Sequence, residues 1–237
     1  MVDPASLFER RGRAATRLER TALMEKQAMK FLITAGPTRE PLDPVRFLSN
    51  RSTGKMGFAL AYAAVQAGHE VTLIAGPVTL ESPEGVRRVD VETALEMLSA
   101  VEKNLPDADV YISCAAVADW RPATYSPVKL KKSGMDGELR LVRNPDILKT
   151  IRPQKGNRIF VGFAAETGMP EAEAKRKMLE KGLDFIVAND VTMPGAGFAA
   201  DTNCVTLLFP NGEKSFLTLR SKLEIAKEIV SRIERLR

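Results

Sequence analysis

The sequence predicts an α/β fold, a Rossmann-like and mainly parallel sheet with flanking helices and a late antiparallel hairpin. Short apolar runs that suit buried strands alternate with segments whose apolar residues recur at helical spacing. Near the end of the chain, two strand-like runs are joined by Asn211-Gly212, a turn sequence typical of hairpins. Strands that alternate with helices form parallel sheets covered by those helices, which assigns the chain to the α/β class.

The first half of the chain is predicted to hold four strands and two helices. "KFLITAG", residues 30–36, is a short apolar run that ends in Gly, as a buried parallel strand does. Pro37, Pro41 and Pro44 exclude a regular helix from the first half of the connection that follows. The other predicted elements are a helix at 54–68 capped by Gly68, strands at 69–76 and 86–91, a helix at 92–105 and a strand at 108–120.

The second half continues the alternation and ends with the hairpin. A short helix is expected to begin near Asn144-Pro145, after a basic loop, and a final amphipathic helix near Ser221. The elements predicted between them are a strand at 158–166, a helix at 170–182, a strand at 183–190 and the hairpin at 204–219.

Composition and charge bound the possible functions. The 237 residues are 44% hydrophobic and 27% charged, which is ordinary for a soluble globular domain. Residues 1–30 hold seven basic and four acidic residues, so they carry +3 of the net charge of +5. The nearly neutral remainder argues against nucleic-acid binding. Residues 1–29 are interpreted as a linker or N-terminal leader, ahead of a domain at 30–237.

The cysteine and histidine counts, the N-terminal sequence and the lengths of the apolar runs argue against four further classes of protein. Two cysteines, Cys114 and Cys204, do not make a disulfide framework, and both follow or open strand-like runs, which predicts buried strand residues. A single histidine, His69, leaves too few ligands for zinc. There is no secretory signal and no apolar stretch of membrane-spanning length. A cytoplasmic protein without membrane partners is expected.

The predicted strands place several loops at one edge of the sheet. Ligands of open α/β sheets bind outside the carboxyl ends of the strands. The segments that follow a predicted strand are Gly36 onward, 115–119, 163–167 and 188–191. We expect them to line one crevice.

The string "NRSTGKMG", residues 50–57, raises the question of a phosphate site. It is not a P-loop, because Ser49 stands where the first Gly of that motif belongs and Met56 follows Lys55. Gly54 to Gly57 nevertheless opens a predicted helix, whose free N–H groups and dipole attract phosphate. The alternative is that Gly54 only caps the helix and Gly57 is a packing contact.

A nicotinamide-dependent reductase is the other enzyme considered. "TAGPTRE" lacks the G-x-G-x-x-G spacing of a dinucleotide site. Tyr125 and Lys129 have the Tyr-x-x-x-Lys spacing that short-chain reductases place on a helix, but Pro127 lies between them and removes that helix. A regulatory module that binds a nucleotide without turning it over is a non-enzymatic alternative.

Charged side chains around the expected crevice suit a nucleotide. Lys129, Lys131 and Lys132 lie in a loop near Gly134 and Gly137 with the composition of a mobile flap, although a charge run is also typical of a solvated surface. Lys177 and Lys181 share one helical face, which a solvated surface explains equally well. Asp119 and Asp146 are candidates for magnesium or sugar hydroxyls, and Asp146 is equally suited to cap its helix.

The motifs taken together resemble one family. "ITAGPTREPLDPVRFLSNRSTGKMG", "CAAVADWRPA", "KLKK", "RNPDIL", "VGFAAET" and "ANDV" are similar to phosphopantothenoylcysteine synthetase, in the family's order and spacing. The resemblance runs from about Lys30 to Arg237. It implies a ligase of coenzyme A biosynthesis that joins 4'-phosphopantothenate to L-cysteine through an acyl nucleotidylate, with release of pyrophosphate and a nucleoside monophosphate.

The resemblance also implies roles for individual residues. Asn50, Lys129 and Arg46 would be catalytic, with Arg46 reaching the acid substrate from a neighbouring subunit of a homodimer and Lys129 closing over the phosphate. Asn50, Ala115, Ala116, Asp119 and Arg46 would bind the acid substrate. The implied nucleotide positions are Gly36, Ser52, Gly54, Gly57, Asp119, Lys129, Asp146, Ile147, Phe163, Lys177, Lys181 and Asn189.

The nucleotide and metal are likewise implied. "KLKK" is similar to the bacterial form of the family, which uses CTP, so CTP with Mg2+ is expected and Asp119 is the candidate metal ligand. In bacteria this domain is often fused behind a flavin-dependent decarboxylase, so a bifunctional protein is a possible context.

Overall fold

The computed structural model describes residues 27–131, 137–166, 170–190, 193 and 195–237. The strands are β1 (Lys30–Ala35), β2 (Arg39–Pro41), β3 (Phe47–Ser49), β4 (Glu70–Ala75), β5 (Val86–Asp90), β6 (Val110–Ser113), β7 (Trp120–Pro122), β8 (Leu141–Arg143), β9 (Ile159–Glu166), β10 (Phe185–Asp190), β11 (Thr202–Leu208) and β12 (Lys214–Ser221). The α-helices are α1 (Lys55–Gln66), α2 (Ala94–Asn104), α3 (Ile147–Ile151), α4 (Pro170–Lys181) and α5 (Lys222–Glu234). Residues 1–26 of the predicted leader and part of the basic loop, including Lys132 and Gly134, lie outside the described residues.

Eight of these strands form one sheet in the order β12-β11-β10-β9-β6-β1-β4-β5. The six strands from β10 to β5 are parallel, whereas β11 and β12 are antiparallel. From β1 the chain proceeds through β4 to β5 at one edge, then returns to β6 on the other side of β1. This confirms the predicted Rossmann-like sheet with a late hairpin and places the reversal of strand order between β1 and β6.

Helices cover both faces of the sheet because side chains of a buried strand alternate between them. On β1, Phe31 and Ile33 face a core built with α1 and α5, whereas Leu32 faces a core built with α2, α3 and α4. Buried apolar residues on all five helices, and on every strand of this sheet except the edge strand β5, complete the two cores. The edge of the sheet between the two helix layers is therefore left for loops.

Three short features depart from the predictions. The proline-containing connection holds the two-stranded hairpin β2–β3, and the strand predicted at 108–120 ends at Ser113. Trp120 instead begins β7, which pairs with β8 in a second small ribbon. Cys114 is thus not a strand residue: it lies just after β6 and is half-buried, whereas Cys204 lies buried in β11 as predicted.

The C-terminal hairpin is longer at its tip than Asn211-Gly212 alone implies. Phe209 and Glu213 close a five-residue connection, with the Phe209 N–H donating to the Glu213 carbonyl at 3.0 Å. Gly212 adopts a φ of 87°, which the turn requires. Among the helices that the structure describes, none has both the length and the apolarity to cross a membrane.

Candidate functional site

A cavity of about 400 Å³ opens at the carboxyl edge of the parallel strands, beside the point where the strand order reverses. Open α/β sheets bind ligands at this place. The predicted site residues that line it are Asn50, Ser52, Gly54, Gly57, Ala115, Ala116, Asp119, Asp146, Ile147, Phe163, Lys177, Lys181 and Asn189. The expectation that loops after separate strands share one crevice is confirmed for these residues.

Asn50 joins two of the loops around the cavity. Its side-chain Nδ2 donates to the Ala116 carbonyl at 2.9 Å, and the Ala116 N–H donates to the Gly36 carbonyl at 2.9 Å. Gly36 itself does not line the cavity. It lies behind Gly54, whose added Cβ would stand 3.4 Å from the Gly36 Cα. The loop after β1 therefore supports the wall from behind.

Helix α1 points its N-terminus into the cavity. Gly54 precedes the helix with a φ of 80°, and no side chain caps the first turn. The Ser52 hydroxyl accepts a hydrogen bond from the Gly54 N–H at 3.3 Å. Unpaired N–H groups and the helix dipole make such an end attractive to an anion. Gly57 also packs closely against Ala35 of β1, as the packing alternative expected, whereas phosphate binding at this helix end stays a prediction.

An ion pair lies across the other side of the cavity. Lys181 Nζ is 3.0 Å from Asp146 Oδ2, and Asp146 Oδ1 accepts the Lys149 N–H at 3.1 Å, which caps α3. Lys177 is one turn away on α4, with its Nζ 3.8 Å from Glu173 Oε1. Both lysines that were expected to share a helical face thus point to the same cavity.

Arg46 and Lys129 are not brought into the cavity. Arg46 lies in the β2–β3 hairpin, where its guanidinium pairs with the buried Asp43 at 2.5 Å and donates to the Leu130 carbonyl at 3.0 Å. The Leu130 N–H in turn donates to Asp43 Oδ2 at 3.2 Å. Lys129, exposed beside it, belongs to a segment at 126–131, the flap segment, that is docked on the hairpin.

Asp43 is the centre of this docking. The Arg46 guanidinium beside it, together with backbone N–H donors of Val45, Leu130 and Arg46, holds the pKa of Asp43 well below its usual value. A carboxylate with this many donors stays ionised at all but strongly acidic pH. The charge of Asp43 therefore fastens the flap segment at neutral pH.

Several lining residues were missed from the sequence, and they cluster around the end of the sheet where β11 starts. The missed residues near that end of the sheet are Lys55, Ala196, Gly197, Phe198, Asn203 and Lys222. Asn203 lies near the start of an antiparallel strand, so its beginning, not its end, meets the carboxyl edge of the parallel strands. The hairpin was predicted from the sequence, but the site residues were sought only after the ends of parallel strands, where Asn203 does not lie.

Two further side chains at the cavity, Cys114 and Asp119, differ in the chemistry they can support. Cys114 lines the cavity, and burial raises the pKa of its thiol to about 12, so the thiol stays protonated. No cluster of three or more His, Cys, Asp or Glu is found among the described residues. Asp119 is exposed, and among the described residues its carboxylate is the acidic group of the cavity that has no side-chain partner. One or two carboxylates are what a magnesium ion takes when substrate phosphates supply its other ligands.

Comparison with known proteins identifies relatives across this domain. The family model described as DFP, the DNA/pantothenate metabolism flavoprotein C-terminal domain, matches residues 26–236. The Coenzyme A biosynthesis bifunctional protein CoaBC of Vibrio vulnificus (strain YJ016) is 50% identical over 213 residues, which cover 89% of this chain and 53% of that protein. The protein of the same name from Bacillus subtilis (strain 168) is 50% identical over 203 residues, covering 85% and 50%.

Solved structures show the same architecture. The crystal structure of the C-terminal domain of CoaBC has a TM-score of 0.76 and 43% identity, covering 89% of this chain and 96% of that one. The DNA/pantothenate metabolism flavoprotein from Streptococcus pneumoniae, with a TM-score of 0.77 and 23% identity over 89% of this chain and all of that one, is similar in fold. The chain spans about half the length of the curated relatives it matches.

Proposed function

The chain belongs to the family of the DNA/pantothenate metabolism flavoprotein C-terminal domain, and on that premise we propose that it is a phosphopantothenate–cysteine ligase. The reaction joins 4'-phosphopantothenate and L-cysteine through an acyl-cytidylate, with release of pyrophosphate and CMP. Relatives named as coenzyme A biosynthesis proteins support this class of reaction.

The observation that carries the proposal is the composition of one cavity. The Asn50 loop, the N-terminus of α1 and the lysines of α4 all meet there. A carboxylate that attacks a phosphate brings two anions together, so its transition state needs positive charge and fixed positions. Lys177, Lys181 and the α1 N-terminus supply the first, and Asn50 supplies a neutral group suited to hold an acyl carbonyl.

In the first step, a carboxylate oxygen of 4'-phosphopantothenate bonds to the α-phosphorus of CTP, and the bond to pyrophosphate breaks. Lys181 would exchange its partner Asp146 for the phosphates, because its Nζ already lies in the cavity wall. The first turn of α1 would hold the phosphates through its N–H groups. No nucleophilic side chain is required, which agrees with the protonated Cys114.

In the second step, the cysteine amine bonds to the acyl carbon and CMP leaves. Asn50 would orient the acyl group from its place beside the Ala116 carbonyl. The amine must lose a proton, and no histidine lines the cavity among the described residues. A phosphate oxygen or solvent water is therefore proposed as the acceptor.

Asp119 would be the residue that holds a magnesium ion, and the ion would supply positive charge that offsets the charge of the phosphates. CTP is proposed in preference to ATP from the bacterial type of the "KLKK" sequence. A tight pocket can separate the two bases because they differ in size and hydrogen-bonding edge.

A homodimer is proposed to complete the site. Arg46 and Lys129 lie on the β2–β3 hairpin and the flap segment, outside the cavity of their own chain. Arg46 would then reach the acid substrate held by a neighbouring subunit.

The test is pyrophosphate release with CTP or ATP plus 4'-phosphopantothenate, each with and without L-cysteine. The ligase predicts release that depends on the acid and turns over fully with cysteine, and CTP is expected to be the better nucleotide. Binding of CTP without release under any combination would instead indicate a regulatory module.

A further inference from the structure

Lys222 occupies an unfavourable position for a cation. It is the first residue of α5, yet it is only 7% exposed. Lysine is almost never buried unless it is paired, since its ammonium is strongly hydrated. The N-terminus of a helix also carries partial positive charge, which repels a cation. A compensating interaction must therefore hold the side chain there.

Backbone carbonyl groups provide that compensation. Lys222 Nζ donates to the carbonyl oxygens of Gly197 at 3.3 Å, Phe198 at 3.0 Å and Ala200 at 2.5 Å, which we call the carbonyl cage. An ammonium has three hydrogens, so its donors are fully used. Burial, and then the charge of Lys55, lowers the pKa of Lys222. The Lys222 ammonium is thus held within the loop by hydrogen bonds to its backbone carbonyl groups.

The same loop, residues 196–201, is fastened to the start of α1. Lys55 Nζ donates to the Ala199 carbonyl at 3.0 Å and to Asp201 Oδ1 at 2.6 Å. The Thr53 hydroxyl donates to the Phe198 carbonyl at 2.8 Å. Most of this loop is exposed or half-buried, yet its carbonyl groups from Gly197 to Ala200 all accept hydrogen bonds, which two lysines and a threonine supply.

These contacts shape the wall of the cavity. Gly197, Phe198, Lys55 and Lys222 all line it. Because the carbonyl oxygens of the loop are directed at ammonium and hydroxyl donors, the wall presents few unpaired negative dipoles to an anionic ligand. Two lysines in that wall add positive charge instead.

We propose that Lys222 is a positioning residue that holds loop 196–201 as the nucleotide-side wall of the cavity by supplying its ammonium to the carbonyl cage. The identity of the nucleotide rests on the function proposed above. Loss of the ammonium releases the loop and weakens nucleotide binding equally in the ground and transition states, which raises KM and leaves kcat little changed.

The experiment compares Lys222→Met with Lys227→Met, which removes an exposed ammonium from the same helix. In Lys222→Met, amide hydrogen exchange at 197–201 is expected to rise about tenfold or more. The KM for CTP is expected to rise about tenfold, with kcat and the KM for 4'-phosphopantothenate changed less than about threefold. Lys227→Met is expected to match the original protein in each measurement.

Unchanged exchange at 197–201 in Lys222→Met would overturn the proposal, as would raised exchange with an unaltered KM for CTP. If Lys222→Met does not fold, Lys222→Gln, which keeps two N–H donors, takes its place and is expected to show smaller shifts in the same direction. Absence of turnover by the original protein would count against the ligase. In that case the exchange measurement still tests whether Lys222 holds the loop through the carbonyl cage.

Discussion

Asn50 is the residue whose role is most closely tied to its geometry. Its Nδ2 donates to the Ala116 carbonyl, which fixes the amide between the loop before α1 and the loop after β6. In the proposed reaction the phosphate chemistry depends on lysines and the α1 N-terminus, whereas the acyl group depends on Asn50. The two half-reactions are therefore separable by one substitution.

Asn50→Asp is expected to retain pyrophosphate release while the amide yield falls at least about tenfold. The new carboxylate loses the N–H donor and repels the Ala116 carbonyl and the anionic intermediate. Quantifying pyrophosphate and amide in the same reaction checks this.

Asn211→Asp is the matched control, because Asn211 lies in the exposed hairpin turn and its Oδ1 only accepts the Glu213 N–H. Both products should be unaffected in that variant. A normal amide yield from Asn50→Asp would contradict the role assigned to Asn50.

At the residue scale, prediction succeeded where short strings were diagnostic and failed where the partner was distant. Asn50 was predicted from a motif and Lys181 from its helical face and the family resemblance, and both line the cavity. Lys222 was missed, because a lysine that begins an amphipathic helix is ordinarily solvated. Only the fold shows that the carbonyl groups of loop 196–201 surround it.

Among the elements, α1 depends on its close approach to β1. A Cβ added to Gly57 would lie 2.4 Å from the Ala35 Cβ, a distance that forces the helix or strand to move. Gly57→Ala is therefore expected to lower the free energy of unfolding by about 1–3 kcal/mol, despite the better helix propensity of Ala. Urea denaturation measures it.

A double-mutant cycle with Ala35→Gly supplies the control. Removing the Ala35 methyl relieves the overlap, so Gly57→Ala should cost less in that background. Equal costs in the two backgrounds would show that the overlap does not cause the loss.

The docking of the flap segment on the β2–β3 hairpin gives a pH-dependent prediction. The pKa of Asp43 is lowered from 3.8, chiefly by Arg46. A depressed pKa contributes stability that is fully present above the unfolded value and is lost as pH falls toward the folded one. The amide side chain introduced by Asp43→Asn does not titrate, so that variant lacks this pH-dependent contribution to stability.

The free energy of unfolding of the original protein should therefore exceed that of Asp43→Asn by a constant amount from pH 7 to about 5, and the difference should shrink below about pH 4. Urea denaturation across this range checks it. A difference that grows as pH falls would contradict the assigned donors of Asp43.

The elements that were predicted from sequence are those with long apolar runs. β1, β4, β6, β9 and β10 each carry such a run, and alternating burial follows from the pleat. The β2–β3 hairpin was not predicted, because its strands have three residues each and lie among prolines. Its stability comes instead from contacts such as Asp43 with Leu130, 87 residues away in sequence.

For the whole molecule, the strand order explains why one cavity collects so many loops. β1 and β6 are neighbours although 75 residues separate Ala35 from Val110, and the loops that follow them diverge to opposite helix layers. The predicted strands established the alternation that produces this sheet. The positions of Arg46 and Lys129 outside the cavity depend on how the small ribbons pack. The hydrophobic periodicity of the sequence does not predict that packing.

Those positions lead to a prediction about assembly. If Arg46 acts on a neighbouring subunit, Arg46→Ala and Asn50→Asp each lower amide formation by a homodimer at least about tenfold. A mixed dimer, however, contains one site in which an intact Asn50 meets an intact Arg46 from the other chain. Equal mixtures, denatured and refolded together, should regain about a quarter of the original activity, since half of the dimers are mixed and each has one intact site of two. Action of Arg46 within its own chain predicts no recovery, because every site then contains one of the two substitutions. The yield of amide per pyrophosphate released is therefore compared between the mixture and each variant alone. Recovery indicates a site that a second copy completes, and no recovery indicates a site that each chain builds alone.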